Sequence, residues 1–200
     1  NLILSKVVLN PILHLRDATR SIARGNLSED IHIPSKDELG NLAESFEDMR
    51  DAIKTNIADL KRLTTIMEST SDLVFISKPD ERIIYMNSAG RKMVGWGEHE
   101  SLDGKSIPDV HPPWAVDKVK HIGIPAAVAN GTWEGETALI GADGQEFPVS
   151  QVIMSHKSAA GETEYLSTII RDITERKHLE DSLRLTQFTL DRAPDAVFWV

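Results

Sequence analysis

The sequence predicts an α+β protein: a helical stalk that pairs as a parallel homodimer, then an antiparallel five-stranded sheet with flanking helices. Three observations carry this. Apolar residues recur at spacings of 4 and 3 through residues 8–22 and 39–67, the rhythm of a coiled coil. Between residues 73 and 173, two short β runs, a helical stretch and three longer β runs follow in order. The chain also starts one domain twice, since Met67–Ser77 is echoed by Leu190–Val200 at a constant offset of 123 residues. A period of that size is the length of a domain, so tandem domains are expected, the second cut after its first strand.

Composition narrows the function classes. Hydrophobic content of 40% and charged content of 26% suit an ordinary globular core. A net charge of −9 argues against a nucleic-acid partner, which needs a basic footprint. With no cysteine, disulfides, zinc–thiolate sites, covalent c-type haem and cysteinyl adducts are excluded within this segment. Residues Asn1–Leu9 are apolar but too short to span a bilayer, and Lys6 interrupts them. They read as the tail of a membrane helix or the first turns of a soluble one.

The first helix presents Val8, Ile12, Leu15, Thr19 and Ile22 on one face. Pro11 lies near its start, where a missing N–H costs least, and Gly25-Asn26 closes it. A connector carries Leu27, Ile31 and Ile33. Ser35 and Glu38 then form a capping-box pattern that opens a long second helix. Its seam is Leu39, Leu42, Phe46, Met49, Ile53, Asn56, Leu60, Leu63 and Met67. Either Asn56 sits in the seam and specifies register, or Ile57 replaces it through a stutter. The second helix outruns its partner by roughly 20 Å or more, at about 1.5 Å per residue. Such a length has little to bury against except a second copy of itself.

Pro11, the stretch Ile22–Leu27, and Asp37-Glu38-Leu39-Gly40 with Leu42 and Phe46 resemble a HAMP domain over residues 3–58. The resemblance implies a homodimeric parallel four-helix bundle just inside a membrane helix. It makes residues 1–9 the membrane-exit segment and the chain the cytoplasmic part of an inner-membrane protein. It also gives the joint to Pro11, Gly25, Leu27, Ile31, Glu38 and Gly40. The dimer seam is then Ile12, Leu15, Ile22, Leu42, Phe46, Met49, Ile53, Asn56, Leu60 and Leu63, with residues 59–70 a coiled-coil linker.

Leu73–Ser77 and Ile83–Met86 read as strands joined by a turn at residues 78–82. Asn87 is a good N-cap for a short helix. Ala115–Asn130 reads as a helix weakened by Gly123 and Pro125. Trp133–Ile140, Glu146–Ser155 and Glu164–Ile173 complete the sheet, with Asp143-Gly144 a tight turn. Asp72–Phe75, Tyr85–Ala89, Gly104–Ile107 leading to His111-Pro112, Gly141–Gln145 and above all Arg171–Arg176 resemble a PAS domain over residues 71–176. By that resemblance Asp172, Ile173 and Thr174 form the signal exit. Residues 177–193 form a coiled-coil linker helix, and residues 190–200 begin a second PAS domain.

No catalytic set appears: no phosphate loop, no His-Glu-x-x-His and no nucleophile elbow. No metal site is expected. His121 lies where haem-binding PAS proteins carry their proximal ligand, although a lone helical histidine is more often a surface or core group. Trp96, Trp114 and Trp133 are candidate pocket walls, more often core than ligand contacts, and Asn87 is a candidate polar contact. The cofactor stays open between none, haem and flavin. The expected role is a signal-transducing segment of a membrane receptor, ending most often in a histidine kinase, with a response regulator as partner if one follows. A diguanylate cyclase or chemoreceptor output, a haem or flavin sensor, a small-molecule binder and an inert dimerisation scaffold are the alternatives.

Overall fold

The computed structural model describes residues 9–28, 31, 33–35 and 37–191, with side chains through residue 187. Most of the proposed membrane-exit segment and of the second PAS start lies outside these residues. The chain divides into two compact units, Asn1–Ile66 and Met67–Val200.

In the first unit, helix α1 (Asn10–Ala23) carries Pro11 in its first turn, where no intrahelical bond is lost. Its end is a Schellman turn. The N–H of Asn26 reaches Ser21 O (3.1 Å) and that of Gly25 reaches Ile22 O (2.8 Å). Gly25 sits at φ +84°, a conformation that a Cβ disfavours. Helix α2 (Glu38–Ser69) follows the connector. Leu15 and Ala18 of α1, Ile31 and Ile33 of the connector, and Ala43 of α2 form one buried cluster, flanked by Ile22 and Phe46.

The cap of α2 differs from the sequence expectation. Asp37, not Ser35, is the N-cap: its Oδ1 accepts from Leu39 N (3.1 Å) and Gly40 N (3.2 Å). A carboxylate satisfies two terminal donors and also complements the helix dipole, which a serine hydroxyl does not. Gly40 has a steric reason as well, because a Cβ there would strike the Ser35 carbonyl.

In the second unit, strands β1 (Leu73–Ser77), β2 (Ile83–Met86), β3 (Thr132–Ile140), β4 (Glu146–Lys157) and β5 (Thr163–Asp172) form one antiparallel sheet in the order β2-β1-β5-β4-β3. Alternation places Leu73 and Phe75, Val149 and Ile153, and Leu166 and Ile170 in the core. Helix α3 (Ser88–Met93) follows β2, and α4 (Pro113–Lys118) and α5 (Ile124–Asn130) precede β3. Helix α6 (Thr174–Asp191) leaves the sheet directly after β5.

The helix expected at residues 115–130 is broken into α4, a π-turn (Val119–Gly123) and α5. Pro125 has no N–H, and in an α-helix its ring would press on the carbonyl four residues earlier. Widening the ladder just upstream relieves that clash. Gly123 lets the turn sit tightly, since a Cβ there would lie 3.1 Å from both Ile153 Cδ1 and the Trp133 ring.

Candidate functional site: where helices enter and leave the sheet domain

The last turn of α2 is capped by the β2–α3 corner. Helix ends leave carbonyls without intrahelical partners. Asn87 Nδ2 donates to Met67 O (3.0 Å), and Ser88 Oγ donates to Glu68 O (3.2 Å). The Glu68 carboxylate accepts from Tyr85 Oη (2.6 Å) and from Ser88 N (2.8 Å) at the start of α3. The tyrosine hydroxyl holds the Glu68 carboxyl below its ordinary range. Burial, then that carboxylate, pushes the Tyr85 hydroxyl up to about 12.

Asn87 is fully buried. It donates to Met67 O and Asp72 O and accepts from Val74 N and Gly90 N, all at 3.0 Å. Those four bonds use the whole capacity of a carboxamide. The expected N-cap role is therefore seen, and Asn87 has no bond left for a ligand.

Two residues beyond Ser69–Thr70, the exit meets the entry. Asp72 receives a bidentate pair from Arg171 at 3.1 and 2.7 Å, joining the start of β1 to the end of β5. Such forked pairs fix geometry as well as charge. At the exit proper, Asp172 Oδ1 accepts from Thr174 N (2.7 Å), capping α6. Ile173 is buried, and its N–H donates to Pro148 O (3.1 Å). Thr174 Oγ1 is buried with no partner among the described residues. Glu136 on β3 then pairs with Arg176 (2.5 Å) and Lys177 (2.7 Å), and the lysine holds its carboxyl below the usual range.

A buried polar cluster lies inside the sheet. His111, Thr137 and Gln151 are each under 3% exposed. His111 Nδ1 donates to Ile107 O (3.0 Å), and Nε2 faces the Gln151 amide at 3.3 Å. Burial pushes the ring's pKa down, so the neutral form is favoured and its Nε2 accepts. The group able to donate to that nitrogen is the Gln151 amide N–H₂; an oxygen in its place requires a doubly protonated ring. Thr137 Oγ1 lies 2.8 Å from the same end of the amide. Sequence reasoning used His111 only as a motif member and missed Gln151, whose position on a core-facing strand register was the available signal.

The five candidate pocket residues are distributed, not gathered. Besides Asn87, Trp96 packs against the core under the Lys105 ammonium (4.5 Å), and Trp133 sits over Gly123 and Gly135. Trp114 is 50% exposed and donates to Glu146 Oε2 (3.1 Å). His121 lies exposed on the π-turn. It does not face the core, and the buried His111 has both ring nitrogens engaged, so these residues do not fit an axial haem ligand. No group of three or more metal-ligating side chains occurs among the described residues.

In the helical unit, Ile31 and Leu15 are buried, while Pro11, Leu27, Ile22, Gly40, Phe46 and Ile53 are half-buried. Glu38 is exposed in the first turn of α2. Ile12, Leu42, Met49, Asn56, Leu60 and Leu63 are exposed in the single chain. Among the described residues no helix is long and apolar enough to cross a membrane.

Comparison with known proteins places these features. A HAMP domain model matches residues 3–55, and a PAS domain model matches residues 71–175. The sensor protein kinase WalK of Staphylococcus aureus is 24% identical over 103 residues, which is 50% of this chain and 25% of that protein. In strain JH9 the same match covers 17% of the relative. The chain thus spans a quarter or less of these curated relatives. Among solved structures, the PAS domain of a Colwellia psychrerythraea protein superposes with a TM-score of 0.54 at 20% identity, over 58% of this chain and 98% of that one. A sensory box histidine kinase/response regulator from Burkholderia thailandensis E264 gives 0.52 at 22% identity, over 66% and 98%. Likeness at that identity establishes the five-stranded fold. With more than half its length matched by one model, the chain belongs to the PAS domain family and carries a HAMP domain ahead of the PAS domain.

Proposed function

We propose that this segment relays a conformational change from an upstream membrane helix, through HAMP and PAS, to an output domain beyond it. The output is a histidine kinase of a two-component phosphorelay, with a response regulator as its partner, and the segment is a parallel homodimer on the cytoplasmic face. The likeness to WalK over 103 residues of this chain supports the kinase assignment. The single observation that carries the relay is the bonding of α2 into the sheet domain. Its final carbonyls and Glu68 are held by Asn87, Ser88 and Tyr85, and Asp72 ties the same end to Arg171, one residue before the exit motif. A shift of α2 therefore loads hydrogen bonds on β1, β2 and β5 together. The exposed stripe Ile12, Leu42, Met49, Leu60 and Leu63 supports self-association.

The test is Glu68→Ala in the full-length receptor. Stimulus-dependent autophosphorylation is expected to fall at least tenfold while the unstimulated level and dimer mass stay unchanged. Full regulation in that variant would remove α2 as the carrier.

A further inference from the structure

A groove of about 470 Å³ lies between α4 and the β3–β4 hairpin, within the size range of small-molecule sites. Phe147 and Pro148 give it an apolar wall, and half of Trp114 stays open to solvent. The Trp114 indole is oriented by its hydrogen bond to Glu146. Three charged side chains line the groove: Lys118, Glu136 and Glu146. Glu136 is already neutralised by Arg176 and Lys177. Lys118 and Glu146 have no ion-pair partner among the described residues. Lys118 is a half-buried residue, and among the described residues its ammonium donates to the backbone carbonyl of Glu136 (2.8 Å).

We propose that this groove binds a small zwitterion with an apolar body, the chemistry of a free amino acid. Its ammonium meets Glu146, its carboxylate meets Lys118, and its side chain lies on Trp114, Phe147 and Pro148. A ligand with one charge leaves the opposite groove charge uncompensated, so both ligand charges contribute to recognition. The site opens on the outside of the domain, and Thr137, which lines it, also belongs to the buried His111–Gln151 cluster.

The groove also reaches the output side. Glu136 and Pro148 line it, and the same two residues hold the start of α6 through Arg176, Lys177 and the Ile173 N–H. An occupant therefore acts at the exit helix without passing through α2. Exposed ion pairs of this kind are weak, so a bound charge can displace them.

The test uses ¹H–¹⁵N spectra of the whole chain with three probes sharing one branched apolar body: L-leucine, 4-methylpentanoate and 3-methylbutylamine. Leucine is expected to shift the Trp114 indole N–H and the amides of Phe147 and residues 174–177 in a saturable way. Each singly charged probe is expected to bind at least tenfold more weakly. Lys118→Met should erase leucine's advantage over the amine, and Glu146→Gln its advantage over the acid. No saturable shift, equal affinity for all three probes, or unchanged preferences in both variants would overturn the proposal. Binding is read without any output domain, so failure here leaves the relay reading standing, and failure of the relay leaves this one testable.

Discussion

Asn87 shows how one side chain can tie a helix end to a sheet. Replacing it with alanine leaves the N–H of Val74 and Gly90 and the carbonyls of Met67 and Asp72 without their partner. Each unpaired buried group costs about 1–3 kcal/mol, though some will find water, so Asn87→Ala is expected to destabilise the PAS unit by about 3 kcal/mol. Urea unfolding read at the tryptophans measures this. His111 makes the second residue-scale prediction. Its pKa is lower folded than the value of 6.5 expected when unfolded, so the folded state binds fewer protons below that pH. Its contribution is complete above about pH 6.5 and is lost as pH falls toward the folded pKa. His111→Gln should flatten the fall in urea midpoint between pH 7 and pH 5 relative to the parent chain.

At the scale of elements, the two helix starts differ in what holds them. α2 depends on Asp37 and on the absence of a side chain at Gly40. Gly40→Ala forces a Cβ into the Ser35 carbonyl, which cannot yield without moving the turn. A loss of about 2 kcal/mol is expected, as for other overpacked sites, and circular dichroism melting of the chain checks it. The strands and both long helices were legible in the sequence because their apolar periods differ, 2 against 3.5. The π-turn was not. Gly123 and Pro125 signalled weakness in that helix, but the form it takes also depends on Trp133 and Ile153, which pack on Gly123 from strands later in the sequence. Ser35–Glu38 fits a capping pattern in the sequence, whereas in the fold the Asp37 carboxylate takes the terminal N–H groups of Leu39 and Gly40. The candidate pocket residues fared differently from the fold. Period predicts which face a residue takes, whereas pocket membership depends on neighbours brought together from distant segments. That is why the entry bonds of Glu68 to Tyr85 and Ser88 had no sequence signature.

For the whole molecule, the exposed apolar stripe on α2 sets the expectation of association. Leu60 and Leu63 are 63% and 59% exposed. Sedimentation of the chain should give a dimer, and Leu60→Asp with Leu63→Asp should weaken it at least tenfold while leaving the far-ultraviolet spectrum of the sheet domain intact. A parent chain that sediments as a monomer at tens of micromolar would refute the paired stalk. Glu68, at the entry, takes its hydrogen bonds from neutral groups, the Tyr85 hydroxyl and the Ser88 amide. The exit helix is held by exposed charge pairs of Glu136 with Arg176 and Lys177. Dissolved salt screens the second kind of bond far more than the first, with a Debye length of about 10 Å at 0.1 M and 3 Å at 1 M. Rising ionic strength should therefore speed amide exchange in the first turn of α6 and leave the last turn of α2 protected, which makes the output end of this domain responsive to ionic strength on its own.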